Sequence, residues 1–185
     1  SGDTPFGDYA LLFGIVLVMA GFGFKIAVVP FQMWAPDVYE GSPTPVTAFL
    51  SVASKAAGFA VILRIFYIAF SDQIVSLDWS AVFAVLSVLS MTVGNLVAIR
   101  QSNIKRLLAY STIAHAGYLL IGVAAIAMRT PDAQLTVGPS SVLFYLGGYA
   151  ATNLAAFSVV IAISSRIGSD SIDDFAGMGS RSPYL

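Results

Sequence analysis

Five long apolar stretches constrain this sequence more than any other feature. Each is long enough to cross the hydrocarbon core of a bilayer as a helix, which takes about 20 residues. A membrane-spanning strand needs only about ten residues with strict alternation of apolar and polar side chains, and these stretches do not alternate. The sequence therefore predicts an all-α, polytopic membrane helix bundle in a single transmembrane domain, with spans at roughly residues 9–30, 45–70, 79–99, 104–128 and 140–163.

The composition excludes several classes of function. Only 10% of the residues are charged, against about 25% in a soluble domain. The net charge of −1 argues against a nucleic-acid partner, because such a protein needs a basic face to neutralise phosphates. The sequence has no cysteine and a single histidine, so we expect no disulfide scaffold, no thiolate or histidine-rich metal site and no serine triad. The lipid bilayer is the expected surrounding.

The ends of the sequence suggest a piece of a longer protein. The chain begins at Ser1 without an initiator Met, and it stops at Leu185, where another apolar stretch could begin. We therefore expect an interior fragment of a longer polytopic chain.

The lysines and arginines near the span ends predict the orientation in the membrane. If successive spans alternate direction, the links 31–44 and 100–103 and the C-terminal tail share one face. That face holds five basic residues and the opposite face two, namely Arg100, Lys105, Arg106, Arg166 and Arg181 against Arg64 and Arg129. Basic loops favour the cytoplasmic side, so we expect the first face to be cytoplasmic.

Two lysines lie inside the predicted spans, where a charge is expensive. At about 1.5 Å rise per residue, Lys55 lies about 4 Å from the middle of the second span and Lys25 about 8 Å from that of the first. A cation at the bilayer centre costs about 2.5–3.5 kcal/mol on insertion scales. All ten Asp and Glu residues lie outside the spans. Each lysine therefore has its partner elsewhere or is neutral part of the time, which is what a proton relay requires; snorkelling to the interface is the alternative.

Polar side chains accompany these lysines. The fourth span carries His115 near its middle, the one group that titrates near neutrality without a shift. Polar residues at helical spacing could line a hydrated path: Ser51, Ser54, Ser111, Thr112 and Tyr118, with the pairs Thr92–Asn95 and Tyr149–Asn153 on neighbouring spans. The alternative is that these groups only form hydrogen bonds between helices.

Pro30 predicts a helix break in the first span, close to Lys25. A proline inside a helix removes a hydrogen bond and kinks the helix, and broken helices recur at the ion sites of transporters. The alternative is that Pro30 simply ends the span at the interface.

Three blocks of sequence form specific motifs: GFKIAVVPFQMWAPDVYEGSPTPVTAFLSVASKAA at 23–57, NIKRLLAYSTIAHAGY at 103–118 and FAGMG at 175–179. These blocks resemble the antiporter-like membrane subunits of respiratory complex I, the proton-translocating NADH–quinone oxidoreductase. The resemblance implies half of an inverted-repeat, fourteen-helix fold, of which this chain would be the seventh to eleventh helices. It matches Lys25 to a channel lysine on a discontinuous helix and Lys55 to a central relay lysine. The family's glutamate partner would lie upstream of this chain. The family often has His where this sequence has Gln32, which puts a titratable role at that position in doubt.

The resemblance implies a proton-translocating subunit with Lys25, Lys55 and His115 as the proton relay. NADH, flavin, iron–sulfur clusters and quinone would be bound by other subunits, with no cofactor and no metal in this chain. The expected partners are other membrane-arm subunits, and the expected location is a bacterial plasma membrane. Two alternatives are a subunit of a Mrp-type cation/proton antiporter or membrane-bound hydrogenase, and a passive scaffold of the membrane arm.

Overall fold

The computed structural model describes residues 5–66, 73–127 and 137–181. Apart from one bridge between Asn103 and Ser171, the regular structure of these residues is helical. The elements in chain order are α1 (Pro5–Ile26), α2 (Trp34–Gly41), α3 (Thr44–Phe49), a π turn (Leu50–Ser54), α4 (Lys55–Arg64), α5 (Gln73–Ala98), α6 (Ile104–Ala127), α7 (Val137–Ile167), a 3-10 turn (Ile172–Phe175) and α8 (Met178–Arg181).

Four segments among the described residues are long and apolar enough to cross a membrane. They are Thr44–Arg64, Trp79–Ala98, Ile104–Ala125 and Gly138–Ile167, and Phe13–Ile26 is a shorter apolar helix. The prediction of an all-α membrane bundle is confirmed. The predicted end of the second span, at residue 70, lies outside the described residues.

The end of α1 lies close to Pro30. Helix α1 stops at Ile26, four residues before Pro30, so the first helix is discontinuous near Pro30, as predicted. Ala27 adopts a left-handed backbone with φ of 57°. Its amide donates to the carbonyl of Phe24, and the amide of Val28 donates to that of Gly23. This pair of bonds is the Schellman motif, which satisfies the last carbonyls of a helix. The helix therefore ends by its own capping geometry before Pro30 is reached.

The break between α1 and α2 covers residues 27–33 and contains Pro30. The indole of Trp34, the first residue of α2, donates back to the carbonyl of Phe24 at 2.9 Å. The buried amide of Val29 donates to the hydroxyl of Ser90 on α5 at 3.0 Å. Hydrogen bonds to α1 and to α5 thus fix the backbone of the break.

Helices α3 and α4 form one rod interrupted by the π turn. Proline stands in the first turn of α3, where its missing N–H costs nothing. The side chains that follow pack into the main apolar core, which draws on α1, α4, α5, α6 and α7 and includes Ile26, Phe59, Ile62, Phe83, Leu120 and Val142.

Small residues let α5 and α6 pack closely. A Cβ built on Gly94 would lie 2.7 Å from the backbone nitrogen of Ala114, and one on Gly117 would lie 2.9 Å from the carbonyl oxygen of Ser87. The hydroxyls of Ser80 and Ser87 each donate to a carbonyl of α6 at 2.7 Å. Small residues and interhelical hydrogen bonds are the usual means of holding membrane helices together.

Candidate functional site

Lys55 is buried in the middle of the bundle. It is the first residue of α4, and only 3% of its surface is exposed. Its ammonium donates a hydrogen bond to the backbone carbonyl of Thr112 on α6. Burial of an ammonium is costly unless it is paired, and a neutral carbonyl offsets only part of that cost. The site therefore holds a cation with a hydrogen-bond acceptor but without an adjoining carboxylate among the described residues.

Five of the described carboxylates lie on α2 or in the segment that follows α7, and Asp8 and Asp78 lie near the first residues of α1 and α5. Asp37 and Glu40 on α2 both bind the guanidinium of Arg106. Asp170 binds Lys105 at 2.9 Å, and Asp173 and Asp174 lie in the 3-10 turn. Within the part of the chain that the structure describes, no cluster of three His, Asp or Glu side chains could hold a metal ion.

Hydroxyl groups next to Lys55 are engaged by their own helices. Ser51 and Thr112 are fully buried. The hydroxyl of Ser51 donates to the carbonyl of Ala48, and that of Thr112 to the carbonyl of Ala109, both at 2.8 Å. Burial raises the pKa of Tyr39, on α2, to about 12, against a smaller opposing effect of its hydrogen bond with Thr112. Tyr39 is therefore neutral at physiological pH and supplies no counter-charge.

Helix α7 contributes two buried side chains to the same place. The hydroxyl of Tyr149 donates to the carbonyl of Ser51 at 2.9 Å. The amide of Asn153 donates to the hydroxyl of Ser51 at 3.0 Å and to that of Tyr149 at 2.9 Å. Ser51, Tyr149 and Asn153 thus form a buried hydrogen-bonded group, and Ser51 precedes Lys55 by four residues.

His115 lies in a cluster of tyrosines between α5, α6 and α7. Its Nδ1 is 2.7 Å from the hydroxyl of Tyr145. Its ring centroid is 5.5 Å from that of Tyr118 and 5.2 Å from that of Tyr149. The amide of Asn95 donates to the hydroxyl of Tyr118 at 3.2 Å. Tyr149 therefore contacts both His115 and the residue that precedes Lys55 by one helical turn.

Lys25 is placed differently from Lys55. It lies in the last turn of α1, and its side chain is exposed. A Cβ on Gly58 would lie 3.8 Å from the Cγ of Lys25, so the lysine stem passes beside α4 about one turn after Lys55. The structure brings Lys25 to the helix that carries Lys55 but does not bury the two lysines together.

The remaining predicted site residues are less buried than Lys55. Ser54 and Ser111 are half-buried, Pro30 is exposed and Tyr118 lies on the exposed side of α6. The sequence reasoning did not single out Tyr145. Its spacing from Tyr149 and Asn153, four residues at each step in an apolar span, is the signal that places all three on one helix face.

Comparison with known proteins identifies similar sequences. A family described as "NADH:quinone oxidoreductase/Mrp antiporter, TM" matches residues 4–185. NADH-quinone oxidoreductase subunit N of Dehalococcoides mccartyi is 52% identical over 184 residues, which are 99% of this chain and 37% of that protein. Subunit N of Chlorobium chlorochromatii is 52% identical over 182 residues, covering 95% of this chain and 34% of that protein.

Two solved structures are similar as well. A chain of respiratory complex I from Thermus thermophilus with bound aureothin superposes with a TM-score of 0.62 at 41% identity, over 86% of this chain and 31% of that one. A chain of the membrane-bound sulfane sulfur reductase, an archaeal respiratory membrane complex, gives a TM-score of 0.77 at 25% identity, over 92% and 33%. The chain spans about a third of the length of these relatives. Because the match covers residues 4–185, this chain belongs to the NADH:quinone oxidoreductase/Mrp antiporter family of transmembrane proteins.

Proposed function

We propose that this chain is part of subunit N of an NADH–quinone oxidoreductase and that it moves protons through the membrane arm. The observation that carries the proposal is the burial of Lys55 against the Thr112 carbonyl. An intramembrane ionisable residue of this kind marks an ion path by default. Relatives that are 52% identical to this chain are named NADH-quinone oxidoreductase subunit N, which supports the assignment to that complex.

The partner of Lys55 suits a group that gains and loses a proton. The carbonyl of Thr112 does not titrate, and it accepts a hydrogen bond from either an ammonium or a neutral amine. A carboxylate would hold the ammonium through a charge-assisted bond, which is about twice as strong as a neutral one. Because its described partner is a carbonyl, Lys55 gives up its proton to a hydrated path without breaking an ion pair among the described residues.

His115 and Lys25 extend the proposed relay on either side. His115 contacts Tyr145 and Tyr149, and an imidazole accepts and donates a proton near neutral pH. Lys25 lies beside α4 at Gly58. The polar lining of Ser51, Ser54, Ser111, Thr112 and Tyr118 belongs to the same path in this proposal.

The rest of the assembly follows from the same assignment. NADH, flavin, iron–sulfur clusters and quinone would be bound by other subunits, and the partners are the other membrane-arm subunits. The chain would lie in a bacterial plasma membrane with 31–44, 100–103 and the C-terminal tail in the cytoplasm, because that end carries more Lys and Arg. A second candidate is a cation/proton antiporter module in a related membrane complex, which the Mrp antiporter part of the family description favours.

The test replaces Lys55 in the full-length subunit within the assembled complex. Lys55→Gln is expected to lower NADH-driven proton uptake into inverted membrane vesicles by at least about tenfold, the effect of losing a positioned acid–base group. Arg64→Gln is the matched control, because Arg64 is an exposed cation on the same helix. Native gels stained for NADH oxidation report assembly.

The outcomes separate the candidate functions. Normal proton uptake by an assembled Lys55→Gln complex would leave this chain a passive scaffold. Sodium-dependent transport without NADH oxidation in the wild type would favour the antiporter module. Unchanged uptake by Lys25→Ala would remove Lys25 from the relay and return it to a snorkelling lysine.

A further inference from the structure

The π turn before Lys55 is held by a helix that lies far away in the sequence. Tyr149 and Asn153 come about a hundred residues after Ser51, yet both donate hydrogen bonds to it. One bond reaches the backbone carbonyl and the other the side-chain hydroxyl. All three residues are buried.

The bond to the carbonyl bears on the register of the helix. In an α-helix the amide of Lys55 would donate to the carbonyl of Ser51, four residues back. In the structure the amide of Lys55 donates to the carbonyl of Val52, three residues back, and the carbonyl of Ser51 accepts the hydroxyl of Tyr149. Tyr149 thus supports a backbone pattern that an uninterrupted α-helix does not have.

The register decides where the ammonium of Lys55 points. A π turn inserts one residue into an α-helix, and such turns are rare and short. If the turn relaxed to an α-helix, the residues on one side of it would rotate by about 100° relative to the other side. Lys55 begins the helix after the turn, so its side chain would leave the carbonyl of Thr112.

We propose that Tyr149 and Asn153 are positioning residues that hold the π turn and thereby direct the ammonium of Lys55 to Thr112. Tyr149 fixes the carbonyl of Ser51, and Asn153 fixes both the hydroxyl of Ser51 and that of Tyr149. The inference rests on the proposed function, in which Lys55 carries the proton. Neither side chain needs to exchange a proton itself.

The experiment removes single bonds in the full-length subunit of the assembled complex. Tyr149→Phe keeps the ring and loses the bond to the carbonyl. It is expected to lower NADH-driven proton uptake about fivefold to tenfold, because a displacement of about 1 Å costs up to about a hundredfold. It should also shift the pH of half-maximal uptake by at least about half a unit, since the surroundings of Lys55 change.

Two further variants grade the effect. Asn153→Leu is of similar size and leaves the Tyr149–carbonyl bond, so a decrease of about twofold to threefold is expected. Ser51→Ala removes the hydroxyl that accepts from Asn153 and that belongs to the proposed lining, so a decrease of about twofold to threefold is expected. Tyr110→Phe is the matched control, because Tyr110 packs against a different cluster of side chains, and it should keep both the rate and the pH profile.

A double variant identifies the residue through which Tyr149 acts. Tyr149→Phe combined with Lys55→Gln should be no slower than Lys55→Gln alone, because there is then no ammonium to direct. An additional loss in the double variant would overturn the inference and point instead to the contact of Tyr149 with His115.

The remaining outcomes keep this inference and the proposed function apart. Wild-type uptake and an unchanged pH profile in Tyr149→Phe, with uptake lost in Lys55→Gln, would overturn only the positioning role. Normal uptake in Lys55→Gln would overturn the proposed function, and the inference with it. If Tyr149→Phe does not assemble, Asn153→Leu decides the question by the same two readouts.

Discussion

Ala27 shows how one residue sets the end of a membrane helix. Its φ of 57° lies in the left-handed region, where any residue with a Cβ is penalised by roughly 1–2 kcal/mol relative to its ordinary backbone. Glycine is the usual residue at this position of a Schellman motif. The side chain of Ala27 is also buried, together with Ile26 and Val28. The site therefore balances backbone strain against the packing of one methyl group.

At Ala27 we expect glycine to be more stabilising than valine, the reverse of their order inside an ordinary helix. Ala27→Gly relieves the strain, but it loses a buried methyl worth about 0.8 kcal/mol and adds about 0.5–1 kcal/mol of backbone entropy cost. Stability should therefore change by less than about 1 kcal/mol. Ala27→Val places a β-branched side chain in a left-handed, buried position and should cost about 2 kcal/mol or more. Thermal unfolding of the full-length subunit in detergent measures both. A valine variant that is more stable than the glycine variant would contradict the left-handed cap.

At the scale of elements, the pair α5 and α6 is held by close backbone approach. Gly94 and Gly117 lie where the two helices touch, and a Cβ on either would collide with backbone atoms of the other helix. A Cβ on Gly58 would lie 2.6 Å from the Cγ2 atom of Ile26, which is a side-chain atom. Side chains change rotamer more readily than backbones move, so the three glycines differ in how a methyl group is accommodated.

Alanine at the two interhelical glycines should separate α5 from α6. Gly94→Ala and Gly117→Ala are each expected to cost about 2–3 kcal/mol of stability, because a helix must shift to admit the methyl group. Gly58→Ala is the matched control and should cost less than about 1 kcal/mol, since Ile26 can adjust while alanine favours the helix. Unfolding in detergent is the measurement. Equal losses at all three sites would argue against the close approach.

The sequence predicts these elements unevenly. Hydropathy alone locates the four long spans, because about 20 apolar residues have few other solutions. The cost of burying a cation likewise singles out Lys55 from the residue pattern alone. The π turn Leu50–Ser54 has no signal in the local sequence, since its hydrogen-bond partners lie on α7. The end of α1 is also hard to predict, because Pro30 suggests a break at residue 30 whereas the helix ends at Ile26. Local patterns thus predict the helices, and long-range contacts decide where they break.

At the scale of the molecule, ion pairs connect helix α6 to other parts of the chain. Arg106 joins α6 to α2 through Asp37 and Glu40, and Lys105 joins α6 to the tail through Asp170. The amide of Ile172 donates to the carbonyl of Ser102. The links 31–44 and 100–103 and the tail therefore meet at the same end, as the alternation of spans predicts. The compartment that this end faces remains a prediction from the basic residues.

The Lys105–Asp170 pair makes the docking of the tail depend on pH. Partial burial by itself would raise the pKa of Asp170, but the hydrogen bond and the charge of Lys105 hold that pKa below its ordinary value. A carboxyl with a lowered pKa stabilises the folded state fully above the pKa of the unfolded state, about 3.9. That contribution is lost as the pH falls through the lower, folded value. We expect the tail to stay docked at neutral pH and to loosen below about pH 4.

A spin label on the tail measures this docking directly. Ser180 is exposed on α8, and this chain has no cysteine, so Ser180→Cys supplies a labelling site in a full-length subunit freed of other cysteines.

At pH 7, Asp170→Asn should shift the docked–free equilibrium about fivefold toward the mobile form, which corresponds to about 1 kcal/mol. Asp173→Asn removes an exposed carboxylate of the same tail and should follow the wild-type curve. Two backbone hydrogen bonds also hold the tail, from the amide of Ile104 to the carbonyl of Asp170 and from the amide of Ile172 to the carbonyl of Ser102. Because these bonds do not titrate, the wild type should approach the Asp170→Asn mobility at low pH without detaching fully. A label whose mobility is the same at pH 7 and pH 3 in the wild type would show that the ion pair does not hold the tail.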